Sequence, residues 1–271
     1  MNNKHNIQDL DLLYADAKKL IDEVVLEKID GDILINIDEV INDLDEKWHG
    51  VDANLQINKL IDVKNMILDN RDIVGNIAVY LSQLVKGYRD AQNANANILP
   101  SFSVLNFTKI AKSLKVENNS TEIYMSDDIT NECTVLNNLT TSIEEVNGLV
   151  NKISNAIFIN WIQEEENRTY AMKMFEKFSK NSVDINKQIN DIIRAINKSY
   201  DSYNFTVSKV DTTPSLEAMF TESSEEYTEE EKTVLSSIEK NFNNNKAITD
   251  NFNMTLVDEI KKDLRSKGII E

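Results

Sequence analysis

Apolar residues recur in alternating steps of three and four positions through four long stretches of the chain. This spacing is typical of helices that pack along a narrow seam. The stretches run from Leu13 to Trp48, from Leu60 to Tyr88, from Ile129 to Trp161 and from Ala171 to Tyr203. The pattern therefore predicts four long amphipathic helices.

Two seam positions depart from the apolar pattern in an informative way. Gly31 lies on the first stripe, where a glycine permits a close helix approach or a kink. Asn70 interrupts the second stripe, and a single polar residue on such a seam can fix the register at some cost in stability. We therefore expect both residues to act in packing and register.

The four stretches form two similar pairs, each joined at a tryptophan. Trp48 and Trp161 lie 113 residues apart, and each stands after one stripe and before the next. This arrangement indicates two copies of one helical hairpin. Each hairpin alone would leave an apolar face exposed, and two together would cover it. The predicted fold is all-α: two long antiparallel hairpins forming a four-helix bundle, with a helical C-terminal tail.

Breaks in the pattern give the predicted domain organisation. Residues 1–92 form the first hairpin, and residues 127–206 form the second, degenerate one. Residues 93–126 are a linker that contains Pro100 and a short amphipathic helix. Residues 207–271 are a second linker followed by an acidic helical tail.

Composition limits the classes of partner. The chain has 271 residues, a formal charge of −17 and only six glycines and two prolines. Such acidity disfavours nucleic acid as a partner, because phosphate must be neutralised by clustered lysine and arginine. No run of about 18 apolar residues exists, so we expect no membrane insertion. The N-terminus also lacks the apolar core of an ordinary signal peptide.

Candidate chemistry is sparse. His5 and His49 are the only histidines, so no His-rich metal set and no Ser–His–Asp arrangement can be drawn. Cys133, the single cysteine, falls on the third stripe and is interpreted as a buried thiol. The acidic runs at 164–166 and 229–231 are interpreted as helix starts. We therefore expect no enzyme activity, no cofactor and no metal.

The stretch "LDEKWHGVDANLQ" at residues 44–56 has the residues of a helical reversal. Gly50 can end the first helix without steric strain, and Asp52 can accept from the free N–H groups of the second. Trp48 would cover the apolar end of the hairpin. These residues are explained equally well by a well-made turn alone or by a turn that also carries a recognition surface.

Trp48-His49-Gly50, between two amphipathic helices, resembles the WXG family of type VII secretion substrates over about residues 8–92. The second copy reads Trp161-Ile162-Gln163 and departs from that pattern, because glutamine replaces the glycine. The resemblance implies hairpins that pair antiparallel into a four-helix bundle. It also implies export without a cleaved signal by an ATPase-driven membrane complex, and service as a partner or escort of larger effectors. Two hairpins in one chain resemble a fused dimer.

The family's export signal, Tyr-x-x-x-Asp/Glu, is matched here by Tyr227 to Glu231. The same segment fits a helix cap, because Thr228 precedes Glu231 by three residues. The resemblance therefore implies a secreted, non-enzymatic protein, a monomer or homodimer, whose partner is the type VII export ATPase or an effector. Two alternatives stay open: a cytoplasmic helical scaffold, and a membrane-acting helical-bundle toxin.

Overall fold

The computed structural model describes residues 9–94, 99, 101–116, 124–162 and 165–211. Nearly all of them belong to one compact unit, residues 1–209. The elements are, in order, α1 (Leu10–Lys19), a π-helical segment (Leu20–Ile33), α2 (Leu34–Lys47), β1 (Trp48–His49), α3 (Val51–Asn93), β2 (Tyr124–Met125), a 3₁₀ turn (Asp127–Ile129), α4 (Thr130–Asn160) and α5 (Glu165–Asp211). The all-α prediction is confirmed. Of the predicted tail, residues 212–271 lie outside the described residues.

Two antiparallel hairpins make up the bundle. α1, the π-helical segment and α2 follow one another as a continuous helix, which turns at Trp48 into α3. α4 turns at Trp161 into α5, and α4 packs against the whole first helix. α5 runs antiparallel to α3, since Gln188 contacts Met66 while Asn181 contacts Asn70. The two tryptophan turns therefore lie at opposite ends of the bundle.

The predicted seams become the core. Every stripe residue of the third stretch, from Ile129 to Trp161, is buried. On the fourth stretch only Tyr203 is partly exposed. Residues of all the long helices meet at the centre, around a cavity of about 20 Å³ lined by Ile29, Ile67, Ile143 and Phe178, among others. Burial of these apolar faces drives the pairing of the hairpins.

The first helix departs from the expected pattern between Leu20 and Ile33, where it is π-helical over 14 residues. In an uninterrupted α-helix the buried stripe would pass through Glu27 or Lys28 and Gly31. The wider π turn instead buries Leu20, Val24, Ile29 and Ile33, in steps of four, five and four.

Gly31 therefore has a different role from the one predicted. It is exposed and makes no close helix approach. A Cβ built there would lie 3.0 Å from the Leu26 carbonyl oxygen, one π turn earlier. The placement of Gly31 on the buried seam is wrong, because the π turn rotates it out to the surface.

Asn70 is buried on the seam, as predicted, and it is fully paired. Its amide donates to the Phe178 carbonyl and to Ser182 Oγ, both at 3.2 Å. Its oxygen accepts from Asn181 Nδ2 at 2.9 Å. These bonds join α3 to α5 at one register only, because a shift of either helix would leave the buried amide without partners.

Residues 101–116 contain no helix, so the short amphipathic helix predicted in this linker is wrong. We call this segment the strap. It is extended and runs antiparallel to α3. Asn93, at the end of α3, bonds Leu99 just before the strap. Asn58, near the start of α3, bonds Val116 at the end of the strap. The 35 residues of helix between these two asparagines span about 52 Å at 1.5 Å each. The 17 steps from Leu99 to Val116 span about 53 Å at 3.1 Å each.

This matching length has a topological cause. Because the hairpins pair antiparallel, the end of α3 and the start of α4 lie at opposite ends of the bundle. A connection between them must cross the full length, as in bundles with a long crossover. An extended chain crosses that distance with the fewest residues, and a helix of equal reach would need about twice as many.

Arg71, which follows Asn70 directly, ties three parts of the molecule together. Its Nε and Nη2 donate to the two carboxylate oxygens of Asp30 in the π-helical segment, at 2.6 and 2.8 Å. Its Nη1 donates to the Thr108 carbonyl of the strap at 2.7 Å. The guanidinium carbon lies 4.8 Å from the centre of the Phe107 ring. Arg71 is only 5% exposed, so its charge depends on these partners.

Gly75, one turn beyond Arg71, makes room for the same ring. A Cβ at Gly75 would lie 2.2 Å from Phe107 Cε2. A side chain at position 75 would displace the Phe107 ring from its place over Arg71. Glycine therefore lets this ring of the strap lie directly against α3.

We expect Arg71→Met to lower the free energy of unfolding by about 3 kcal/mol, because Asp30 loses a bidentate partner and the Thr108 carbonyl loses its donor. Urea denaturation measures the loss. Adding Asp30→Asn should recover part of it by removing the unpaired charge. Arg194→Met, which breaks an exposed pair with Asp191, is the matched control and should change stability by less than about 0.5 kcal/mol. An equal effect of the two arginine substitutions would contradict the central role of Arg71.

Candidate functional site

The Trp48 turn is built as the sequence predicts in most respects. α2 ends at Lys47, and Trp48 follows in an extended conformation with its N–H bonded to the Leu44 carbonyl. The indole is only 4% exposed, so it covers the apolar end of the first hairpin. Trp48 is therefore a packing residue, and its side chain is closed to a docking partner in this fold.

Gly50 explains the glycine of the tripeptide. Its φ is 125° and its ψ is −179°, a conformation that only glycine adopts without strain. Its carbonyl accepts from Asn54 N–H at 3.2 Å, which begins α3. The predicted cap by Asp52 is wrong, because Gly50 is the N-cap and no side chain caps this helix start. The positive φ itself turns the chain into α3.

The turn is joined to the start of the second hairpin by a two-residue antiparallel pairing. Trp48 pairs with Met125 and His49 with Tyr124, and Ser126 N–H donates to the Lys47 carbonyl at 2.9 Å. The rings of His49 and Tyr124 lie 5.8 Å apart. The backbone of the turn is thus fixed to the segment that leads into α4.

Lys47 sits beneath this pairing among three carboxylates. Its Nζ lies 2.9 Å from Glu132, 3.1 Å from Asp43 and 3.4 Å from Asp128. The hydrogen bond to Glu132 raises the pKa of Lys47 well above its usual range. Burial raises the pKa of Glu132, against the opposing effect of Lys47. The Ser126 hydroxyl lowers the pKa of Asp128. Lys47 therefore favours the charged form of Glu132 against the effect of burial, and it links α2 to α4.

The Trp161 turn repeats the same local geometry at the other end. α4 ends at Asn160, Trp161 is extended, and its N–H donates to the Ile157 carbonyl at 2.8 Å. The indole is fully buried and lies 5.9 Å from Tyr80 and 6.4 Å from Phe158, ring centre to ring centre. Trp48 and Trp161 therefore occupy equivalent positions, although no glycine follows the second.

The exposed surface of the Trp48 turn includes apolar side chains beside the acidic Asp52. Val51 is 70% exposed and Leu55 is 51% exposed. They are four residues apart on the first turns of α3, so they share one face. Tyr124, on the paired strand, is 45% exposed. A partner that recognises this turn would meet these side chains and the backbone around Gly50.

Cys133 and the acidic side chains are the candidate residues for chemistry in the part of the chain that the structure describes. Cys133 is buried, and burial raises the pKa of its thiol, as expected for a structural cysteine. Among the described residues, no three His, Cys, Asp or Glu side chains could together hold a metal ion. No helix within the described ranges combines the length and the apolar character that a membrane span requires. Tyr227 and Glu231 lie outside the described residues.

Sequence reasoning missed Arg71, Asp30 and the polar residues of α3 that hold the strap. One signal for the latter was present, since Asn58 and Asn65, and also Asp62 and Asp69, are seven residues apart. A polar heptad on the outer face of a helix is ordinary by itself. The heptad indicates a binding site only together with the strap, whose lysines lie at least 40 positions from Asp62 and Asp69 in the sequence.

We expect Gly50→Ala to lower the free energy of unfolding by about 1–3 kcal/mol, because alanine is strained at a φ of 125°. Gly87→Ala is the matched control: Gly87 lies inside α3, and open space surrounds the position that a Cβ would take, so alanine there should stabilise by up to about 1 kcal/mol. Thermal and urea denaturation of both variants test the pair. A neutral Gly50→Ala would show that the turn does not depend on the positive φ.

We expect the stability contribution of Lys47 to depend on pH. Its raised pKa means that the folded state favours the charged amine, so this contribution is complete below about pH 10.4 and is lost as the pH rises through the folded pKa. Lys47→Met should cost about 2 kcal/mol at pH 7, because Glu132 stays buried without its partner. A second pH dependence comes from Glu132: the cost should shrink as the pH is lowered from 7 to 5, because burial favours the protonated form of this carboxyl.

Urea denaturation of both forms at the two pH values measures this difference. Lys18→Met, which breaks an exposed pair with Asp22, should have an effect below about 0.5 kcal/mol at either pH. A loss for Lys47→Met that is the same at pH 7 and pH 5 would mean that Glu132 does not carry the effect.

Comparison of the chain with models of known protein families, with curated proteins and with solved structures gives no match. The resemblance to the WXG family therefore rests on the sequence around Trp48 alone.

Proposed function

We propose that this chain is a non-enzymatic, type VII secretion-associated protein that works by protein–protein binding through its helical bundle. It acts as an exported substrate, or as an escort for a larger effector. Its partners are the export ATPase or that effector, and it leaves the cell without a cleaved signal peptide.

The observation that carries this proposal is the Trp48-His49-Gly50 turn between two long antiparallel helices. The tryptophan is buried at the last position of the first helix's stripe, and the glycine has the positive φ that the reversal requires. Both residue types thus have a physical reason at their positions, and the spacing between them is that of the family's tripeptide.

A second observation supports a fused pair of hairpins. Trp161 ends α4 in the same extended conformation as Trp48 ends α2, and each N–H bonds the carbonyl four residues before it. The two hairpins pack antiparallel, which is the arrangement implied for paired family members. The strap then supplies the covalent link that a dimer of separate hairpins lacks.

Because Trp48 is buried, we assign recognition to its exposed surroundings. Val51 and Leu55 present an apolar face beside the turn, and their loss would leave the core intact. This separates recognition from folding, which substitution of Trp48 cannot do, since removing a buried indole costs about 3–5 kcal/mol.

The test is export of the full chain from its native cell, with and without the export ATPase. We expect the protein in the medium only when the ATPase is present, and we expect Val51→Ser with Leu55→Ser to reduce export severalfold at unchanged melting temperature. Leu26→Ser with Val183→Ser is the matched control, because these two residues are of the same types, are similarly exposed and lie outside the turn. Retention of the wild-type chain inside the cell would overturn the proposal and favour a cytoplasmic scaffold.

A further inference from the structure

The C-terminal half of the strap, residues 109–116, lies along polar side chains on the outer face of α3. We call these five residues of α3 the polar track: Asn58, Asp62, Asn65, Asp69 and Asp72. Each of them contacts the strap.

The two asparagines hold the strap by its backbone. Asn65 Nδ2 donates to the Ser113 carbonyl at 3.0 Å, and Asn65 Oδ1 accepts from Ser113 N–H at 2.9 Å. Asn58 makes the same pair of bonds to Val116, at 3.1 and 2.9 Å. A side-chain amide that bonds both the N–H and the carbonyl of one residue makes no contact that depends on that residue's side chain. The contact requires only that the bound segment be extended.

The spacing of these contacts follows from the geometry of the two conformations. Seven residues of helix advance about 10.5 Å, and three residues of extended chain advance about 9–10 Å. Asn58 and Asn65 are seven apart, and the residues they hold, Val116 and Ser113, are three apart. The two asparagines of the polar track are therefore spaced to bind every third residue of an extended chain.

Asp62 and Asp69, which are also seven residues apart, pair with lysines three residues apart, and Asp72 reaches a third lysine. Asp62 pairs with Lys115 at 2.9 Å, Asp69 with Lys112 at 2.8 Å and Asp72 with Lys109 at 3.6 Å. The strap carries these three lysines and no acidic residue, whereas the whole chain has a charge of −17. The charge of the polar track is thus complementary to a segment with lysines three residues apart.

The two halves of the strap are held differently. In the N-terminal half, Phe102, Leu105 and Phe107 pack on the core, and Arg71 binds Thr108. In the C-terminal half no apolar side chain is buried, and Leu114 is 89% exposed. All three lysines are more than half exposed, and exposed ion pairs of this kind are weak and sensitive to salt. Residues 109–116 are therefore bound by polar contacts that another chain can reproduce.

We propose that the polar track of α3 is a binding site for an extended basic peptide with lysines three residues apart, and that residues 109–116 occupy it in cis. A segment of a partner protein with the same chemistry competes with them. The N-terminal half of the strap stays anchored during this exchange, so the bundle keeps its crossover connection. The site exists whether or not the chain is exported.

The test uses the full chain with Lys109→Ser, Lys112→Ser and Lys115→Ser, which weakens the occupant and leaves α3 unchanged. The probe is a fluorescently labelled peptide with the sequence of residues 109–116, KIAKSLKV, and its binding is measured by fluorescence anisotropy. We expect it to bind at least about tenfold tighter than a peptide of the same composition with its lysines two residues apart, a difference of about 1.4 kcal/mol.

Two double variants of α3 separate the two kinds of contact. Asn58→Ala with Asn65→Ala should weaken both peptides alike, because these residues hold backbone. Asp62→Asn with Asp69→Asn should abolish the preference for the three-residue spacing while leaving weak binding of both. Equal affinity for the two peptides before any change in α3 would overturn the proposal.

A second form leaves every contact residue in place. Residues 117–120 are replaced by a protease site, and the folded chain is cut there, so that residues 109–116 can leave the polar track. We expect the cut chain to bind the labelled peptide with the same spacing preference and the uncut chain to bind it severalfold more weakly. If neither the cut chain nor the serine variant binds the peptide, while circular dichroism shows both to be helical, the polar track holds its own strap only and the proposal is wrong.

Discussion

The charge of Arg71, buried between the π-helical segment, α3 and the strap, is the constraint on which much of the fold depends. A guanidinium in that position is tolerable only with acceptors on several sides. Asp30 supplies two of them and the Thr108 carbonyl a third. The π turns place Asp30 and Ile29 in successive positions, one facing Arg71 and the other buried in the core. Asn70, the preceding residue, binds α5. Asn70 and Arg71 of α3 together fix the first helix, the strap and α5 relative to one another.

The helices and their seams could be predicted because apolar spacing of three and four residues has one common cause, burial of a helical face. The extended conformation of the strap could not be predicted. Lysines at 109, 112 and 115 have a spacing of three residues that fits one face of a helix and fits an extended chain equally well. What decides between the two is the distant heptad of Asn58 and Asn65, and the length that the crossover must span. The π-helical segment could not be predicted for a similar reason. Gly31 has the sequence spacing of an α-helical stripe, but it is exposed in the structure.

The candidate site was predicted in its residues and only partly in its roles. Trp48, Gly50 and Trp161 lie at the two reversals, as the paired stripes indicated. Trp48 and Trp161 are structural residues because they are buried, and Gly50 is structural because of its positive φ. The exposed side chains at the first reversal include those of Val51, Leu55 and Tyr124. Sequence spacing finds the turn because tryptophan and glycine are scarce in this chain. It does not tell which neighbouring side chains face outward, since that depends on how α3 starts after Gly50.

The crossover also sets an order of events during synthesis. The first hairpin leaves the ribosome before any part of the second, and its helices contact one another without residues of the second hairpin, so it can form early. Its apolar face toward α4 then stays uncovered for the time needed to make about seventy further residues, at roughly 5–20 residues per second. The strap is made within that interval and can settle on α3 at once, covering the outer face while the inner face waits. A nascent chain of this design is therefore most prone to wrong pairing with a second copy between the completion of α3 and the completion of α4.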